Sequence, residues 1–128
     1  MPKEKRVSKP STELPVPKEW TEQRNFVFWF RRQYPKTRIF AIPNGGSRDI
    51  IEAAGLKAQG VSAGVPDLMI PAWRLFIEMK RTKGSATSDE QKDWAAYLIS
   101  CGYTHFYAFG CDDGMAKLME FMRNGGLA

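Results

Sequence analysis

Apolar positions along the chain recur with two periods, and the changes of period divide it into short elements. Over residues 21–34 the period is helical: Phe26, Trp29, Phe30 and Gln33 return at spacings of three and four, Thr21 stands where a cap would, and Pro35 stops the run. Residues 37–42 predict a strand, broken by Pro43-Asn44-Gly45-Gly46. Ser47 then caps a predicted helix over 48–59, with Ile50, Ile51, Ala54 and Ala58 as its buried stripe and Gly55 as its weak point. Two apolar runs, 68–70 and 75–79, meet at Pro71-Ala72-Trp73-Arg74 and predict a hairpin. Ser88 followed by Gln91 is a capping-box pattern that opens a helix to about Ser100, its inward set being Gln91, Trp94, Ala95, Leu98 and Ile99. Residues 104–109 predict a last strand, and Asp112 or Asp113 caps a final helix ending near Arg123. The order is α-β-α-β-β-α-β-α. A helix between the last two strands makes them parallel, so the expected fold is α/β, a mixed four-stranded sheet flanked by helices.

The hairpin carries the chemistry. If Ile70 pairs with Leu75, paired positions sum to 145 and Asp67 lies across from Glu78, Cβ atoms about 5 Å apart. Lys80 projects from the same face as Glu78, while Leu68, Ile70, Leu75, Ile77 and Met79 form the other, apolar face. Two carboxylates facing each other repel, and helices on both sides of the sheet would bury them. Three readings compete on spacing alone: an unimportant surface salt bridge, which those two points weaken, and two others. Lys80 neutralises one carboxylate in a structural network, or the pair binds a hard divalent cation that needs only a few protein oxygens. Glu22 is likewise double: a first-turn glutamate on its helix dipole, or a carboxylate aimed inward at the hairpin.

Composition narrows the setting. The chain has 128 residues and a net charge of +5, with 43% hydrophobic and 26% charged residues, enough for a single folded domain. Residues 1–40 hold ten Lys or Arg against four Asp or Glu, whereas residues 41–128 hold nine against ten. The basic excess therefore sits in the first third and suits a polyanion such as nucleic acid. Residues 1–18, with four prolines and five Lys or Arg, read as a flexible basic arm ahead of a domain over 19–128. No apolar run approaches the roughly 18 residues of a bilayer span, and no apolar segment backs the basic N-terminus as a secretory signal would. No membrane partner and a cytoplasmic location are expected. Cys101, His105 and Cys111 match no common zinc spacing and read as ordinary reduced thiols around a strand.

Pro66-Asp67, ten residues, then Glu78-Met79-Lys80 resembles the PD-(D/E)xK nuclease signature. With a Glu-bearing N-terminal helix, the Gly64-Val65-Pro66-Asp67 run, and Ser88-x-x-Gln91 after a loop, the order resembles the VRR-NUC (virus-type replication-repair nuclease) family in its small stand-alone phage and bacterial form. The resemblance covers roughly residues 19–109 and implies a restriction-endonuclease-like core; the helix over 48–59 lies outside that core order.

Roles follow from the resemblance. Asp67 and Glu78 would be metal ligands with the backbone carbonyl of Met79, Glu22 would approach from the first helix, Lys80 would position or activate the attacking water, and Gln91 would support the site. Asn44 and Arg48 match a polar turn that contacts DNA, with Arg81 and Lys83 beyond the hairpin as further DNA-binding candidates. The expected activity is a Mg²⁺- or Mn²⁺-dependent DNA endonuclease of DNA repair, selective for branched DNA such as four-way (Holliday) junctions, working as a homodimer without an organic cofactor. The surface offered for dimerisation is Trp20, Phe28, Trp73 and the last helix. The alternatives are a non-catalytic nucleic-acid-binding module on the same fold, and a nuclease acting on flaps or linear DNA.

Overall fold

The computed structural model describes residues 15–43 and 49–126. Its elements follow the expected order: α1 (Glu19–Gln33), β1 (Phe40–Ala41), α2 (Ile50–Ala58), β2 (Leu68–Ile70), β3 (Leu75–Lys80), α3 (Asp89–Ser100), β4 (Thr104–Phe109) and α4 (Cys111–Arg123). A 3-10 turn over Pro71–Trp73 joins β2 to β3, and Arg74 takes the left-handed conformation (φ 50°) that closes it. The four strands form one mixed sheet in the order β1-β2-β3-β4.

Register is as the hairpin pattern requires. Ile70 pairs with Leu75, Met69 with Phe76 and Leu68 with Ile77, antiparallel throughout. β3 then runs parallel to β4, with Glu78 beside Tyr107 and Lys80 beside Phe109. All six residues of β3 are buried. Their alternation sends Leu75, Ile77 and Met79 into a core shared with Phe26 and Phe30 of α1 and Leu118 of α4. It sends Phe76, Glu78 and Lys80 to the face that α3 covers through Gln91, Ala95 and Leu98. The hydrophobic core therefore fixes the strand that carries the polar face.

Several local expectations give way to tertiary context. α1 begins two residues before Thr21, with Lys18 as its cap and no side-chain cap bond, because the chain can turn helical directly after Pro17. Gln33 at its far end is exposed. β1 has only two residues, although Ile42 N–H continues its ladder to the Asp67 carbonyl (2.7 Å). α2 is capped by Asp49, whose side chain accepts from Glu52 N–H at 2.7 Å; Ser47 lies outside the described residues. Its predicted buried stripe is uncovered, with Ile50 86% and Ile51 84% exposed and Ala54 and Ala58 exposed too. α2 follows the edge strand, where the core is already closed by α1 and α4 on one face and α3 on the other. Ile99, at the last turn of α3, is also exposed. α4 starts at Cys111 behind Gly110, and Asp113 accepts from Phe109 N–H instead of capping the helix. Trp73 is no free surface: its ring packs against Phe30, Tyr34 and Phe121. Both cysteines are free thiols.

Burial sets opposite outcomes for two apolar truncations. Phe26→Ala empties a fully buried site and should cost about 3–5 kcal/mol. Ile51→Ser should stay within about 0.5 kcal/mol of the parent. Urea unfolding monitored by circular dichroism measures both, and a large loss for Ile51→Ser would show that α2 is covered in solution.

Candidate active site

The sheet register, carried one pair past Leu68 and Ile77, brings Asp67 beside Glu78. Three contacts lock Asp67 there. Its carbonyl accepts from Ile42 N–H, its Oδ2 accepts from Met79 N–H at 2.8 Å, and the preceding Pro66 is fully buried. Gly64 lets the loop approach α3. With φ at 89°, it sits where a Cβ would lie 2.5 Å from the Glu90 backbone, so neither its conformation nor its space admits a side chain. The Gly64-Val65-Pro66-Asp67 run is thus a packing device that presents one carboxylate.

Glu78 and Lys80 are each only 3% exposed, and a buried charge needs partners. Gln91 supplies them for both. Its Nε2 donates to Glu78 Oε2 (2.9 Å), and its Oε1 accepts from Lys80 Nζ (2.7 Å) and from Ser88 N–H (3.0 Å). Ser88 Oγ in turn accepts from Gln91 N–H, completing the capping box. The helix cap and the site support are therefore one side chain, and the cap bond fixes which end of the amide faces each charge. Lys80 also donates to the Ala86 carbonyl (2.7 Å), and its ammonium stays 4.0 Å from Glu78 Oε2.

Burial pushes the Glu78 carboxyl up to about 8, and the neighbouring Asp67 charge adds to the rise against the lowering effect of Lys80. Asp67 is also raised, chiefly by burial, against the pull of the Met79 N–H. The pair therefore holds a proton near neutrality unless another positive charge arrives. An open cleft of about 420 Å³ lies over them, lined by Asp67, Glu78 and Gln91 together with Glu19 and Gln23 of α1, Ala41 of β1 and the two residues that follow it.

The α1 carboxylate in this cleft is Glu19, not Glu22. Glu22 is buried, as an inward residue should be, but its Oε1 accepts from Cys111 N–H at 2.8 Å. It caps α4 from outside, where Gly110 has no side chain to do so. Glu19, one turn earlier on the same face, lines the cleft, and its carboxyl is raised by burial and by Asp67. Placing the helix start at Thr21 hid it; Pro17 just upstream and the preference of acids for a first turn were the signals.

Among the DNA-binding candidates, Asn44 and Arg48 lie outside the described residues. Arg81 is tied to the chain entering α1, donating to the Val16 (3.2 Å) and Pro17 (3.3 Å) carbonyls. Lys83 is exposed. Met79 turns its side chain into the core. In a strand the N–H and C=O of one residue point to the same side, so its carbonyl shares the edge where its N–H meets Asp67. Among the described residues no three His, Cys, Asp or Glu side chains gather closely enough to hold a metal ion alone. The donors converging here are two carboxylates, one carbonyl and Glu19 at the rim, a hard-oxygen set with a built-in excess of negative charge.

The raised carboxyl gives a pH signature. The folded chain keeps a proton on Glu78 that the unfolded chain releases, so this contribution is full below about 4.5 and lost as pH climbs to about 8. Asp67 acts with the same sign, whereas His105, lowered by burial, acts with the opposite one. Subtracting the melting profile of Glu78→Gln from that of the parent isolates the Glu78 effect. The parent's advantage should shrink steadily between pH 5 and 8, and a flat difference would contradict the assignment.

A solved structure described as a VRR_NUC domain protein is similar to this chain at a TM-score of 0.72 and 30% sequence identity, over 86% of this chain and 92% of the other. No family sequence model matches the chain, and no curated protein does. Sheet order, helix placement and the extent of this match agree with the order of motifs around Asp67, Glu78, Lys80 and Gln91: the chain belongs to the VRR-NUC family of nuclease-type domains.

Proposed function

We propose that the chain is a divalent-cation-dependent endonuclease that hydrolyses phosphodiester bonds in branched DNA, four-way junctions among them. The observation that carries this reading is the Asp67–Glu78 pair, a buried and a half-buried carboxylate side by side with their repulsion only partly relieved. Asp67, Glu78 and the Met79 carbonyl would hold Mg²⁺ or Mn²⁺, with Glu19 reaching in from α1. Such an ion supplies charge neutralisation at the phosphate and a more acidic bound water.

The remaining work falls to side chains. An ammonium has three donors, and Lys80 commits two, to Ala86 and Gln91. The third is left to orient a water or to meet charge developing on a phosphate oxygen. Gln91 keeps Lys80 from collapsing onto Glu78, and Glu78 and Asp67 accept the proton bookkeeping of the site as their occupancy changes. Lys80 and Glu78 form only a long ion pair, at 4.0 Å, so the ammonium offsets the carboxylate without being spent on it. A binding-only module has no need of an ammonium and a carboxylate buried under one helix beside a second carboxylate.

Asp67→Asn, Glu78→Gln and Lys80→Ala should each lower the cleavage rate by about 10²-fold or more, measured on junction, flap and linear substrates with Mn²⁺. Glu19→Gln should lower it by about 10-fold. Glu22→Gln should keep it within about threefold, since its amide oxygen can still accept from Cys111. Parent-like cutting by Glu78→Gln would remove the mechanism, and a larger loss for Glu22→Gln than for Glu19→Gln would reverse the α1 assignment.

Paired nicks across a junction require two sites related by symmetry, so the working form on such a substrate is a homodimer. Sedimentation at micromolar concentration should show it, and a monomer alone, with or without junction DNA, would count against paired cutting.

A further inference from the structure

A second groove, of about 350 Å³, runs between α1 and the edge strand β1. Its α1 wall is Trp20, Arg24, Val27 and Arg31, spaced as one helical stripe distinct from the core stripe of Phe26 and Phe30. Phe40 of β1 faces them. Trp20 is 63% exposed, and the Arg24 guanidinium lies 5.3 Å from its ring centroid, forming a shelf of ring and planar cation. Among the described residues no acid lines the groove and neither arginine forms an ion pair. Gln23 and Ala41 line both this groove and the carboxylate cleft, so the two are continuous.

We propose that this groove binds an unpaired stretch of nucleic acid next to the scissile phosphate, bases on Trp20 and Phe40, phosphates on Arg24 and Arg31. Its position relative to the cut rests on the nuclease reading above. The occupant follows from the chemistry of the walls. Exposed ring faces stack on bases only when those bases are splayed from a helix, because a duplex keeps its base faces covered by their neighbours. Two guanidiniums beside those rings, Arg24 donating among the described residues only to the neutral Asn25 side chain (3.3 Å), complement the backbone of the same strand. A strand lying on both would pass directly from the basic groove to the carboxylates. The substrate class is therefore a strand that becomes single-stranded at the cut, such as a flap or the open centre of a junction.

The test uses the full chain and two probes in EDTA, a short oligothymidylate and a fully paired duplex, with affinity read by fluorescence anisotropy. Trp20→Ala should weaken oligothymidylate binding by roughly 5- to 150-fold, the effect of one stacked base, and duplex binding by much less. Arg31→Ala should weaken both and reduce the salt slope by about one. Phe28→Ala, 62% exposed on α1 but outside the groove, is the control and should alter neither. With Mn²⁺, the parent's preference for a substrate carrying an unpaired strand over paired DNA should fall towards unity in Trp20→Ala. The proposal is overturned if Trp20→Ala matches Phe28→Ala on the single strand. It is equally overturned if Trp20→Ala converts a sedimenting dimer to monomer with parallel losses on both probes, which would make the groove a contact between copies. Absence of metal-dependent cutting by the parent, alongside Trp20-dependent binding, would instead remove the nuclease reading and leave a single-strand-binding groove.

Discussion

Two carboxylates held side by side, one buried and one half-buried, are the constraint on which the rest of this structure depends. Asp67 and Glu78 face each other at the open end of the hairpin, and burial alone raises both. Left to itself such a pair would splay or hydrate. What prevents it is distributed over the chain: the Ile42 and Met79 N–H groups on Asp67, the Gly64 loop pressed to the Glu90 backbone, and the Gln91 amide on Glu78. These contacts come from the end of β1, from β3 and from α3, so the carboxylates are positioned by the fold as a whole. A loop-borne pair could relax; this one is pinned between a fully buried strand and a capped helix.

β3 performs two tasks because its residues alternate. Leu75, Ile77 and Met79 anchor it in the core beneath α1 and α4, and Glu78 and Lys80 stand on the other face under α3. The core cannot shift without moving the site. α1 divides its acids in a related way. Glu19 faces the cleft, and Glu22, three residues on, holds the N-terminus of α4 through Cys111. Two carboxylates on one helical face thus serve two different neighbours, one chemical and one structural.

That division explains what the sequence could and could not reveal. The hairpin register was legible because it depends on local alternation and a short turn, and it brought Asp67, Glu78 and Lys80 together without further information. The capping box was legible for the same reason, and its glutamine came with it. Glu19 and Glu22 could not be separated, since their roles depend on where α1 starts and on which element lies opposite, and neither is encoded within the helix. α2 misled in another way: an apolar stripe states that a helix can be buried, not that any surface remains to cover it, and Ile50 and Ile51 stay outside. Arg81 showed the same limit, its guanidinium being taken up by the carbonyls of residues 16 and 17, far away in sequence.

Charge links the cleft to the groove beside it. Asp67, Glu78 and Glu19 outnumber Lys80, so the cleft repels a phosphodiester when its carboxylates are ionised. The groove along α1, with Arg24 and Arg31 and no acid among the described residues, would attract the same backbone. A strand drawn along the groove would therefore stop at the cleft's edge until the carboxylates are neutralised. A proton on Glu78 could do so but would leave no base in the site. A divalent cation would do so while keeping both carboxylates ionised as its ligands. On the proposed nuclease reading a cation would govern entry of the phosphate as well as its hydrolysis, and the raised Glu78 carboxyl fits a site that gains from an added positive charge.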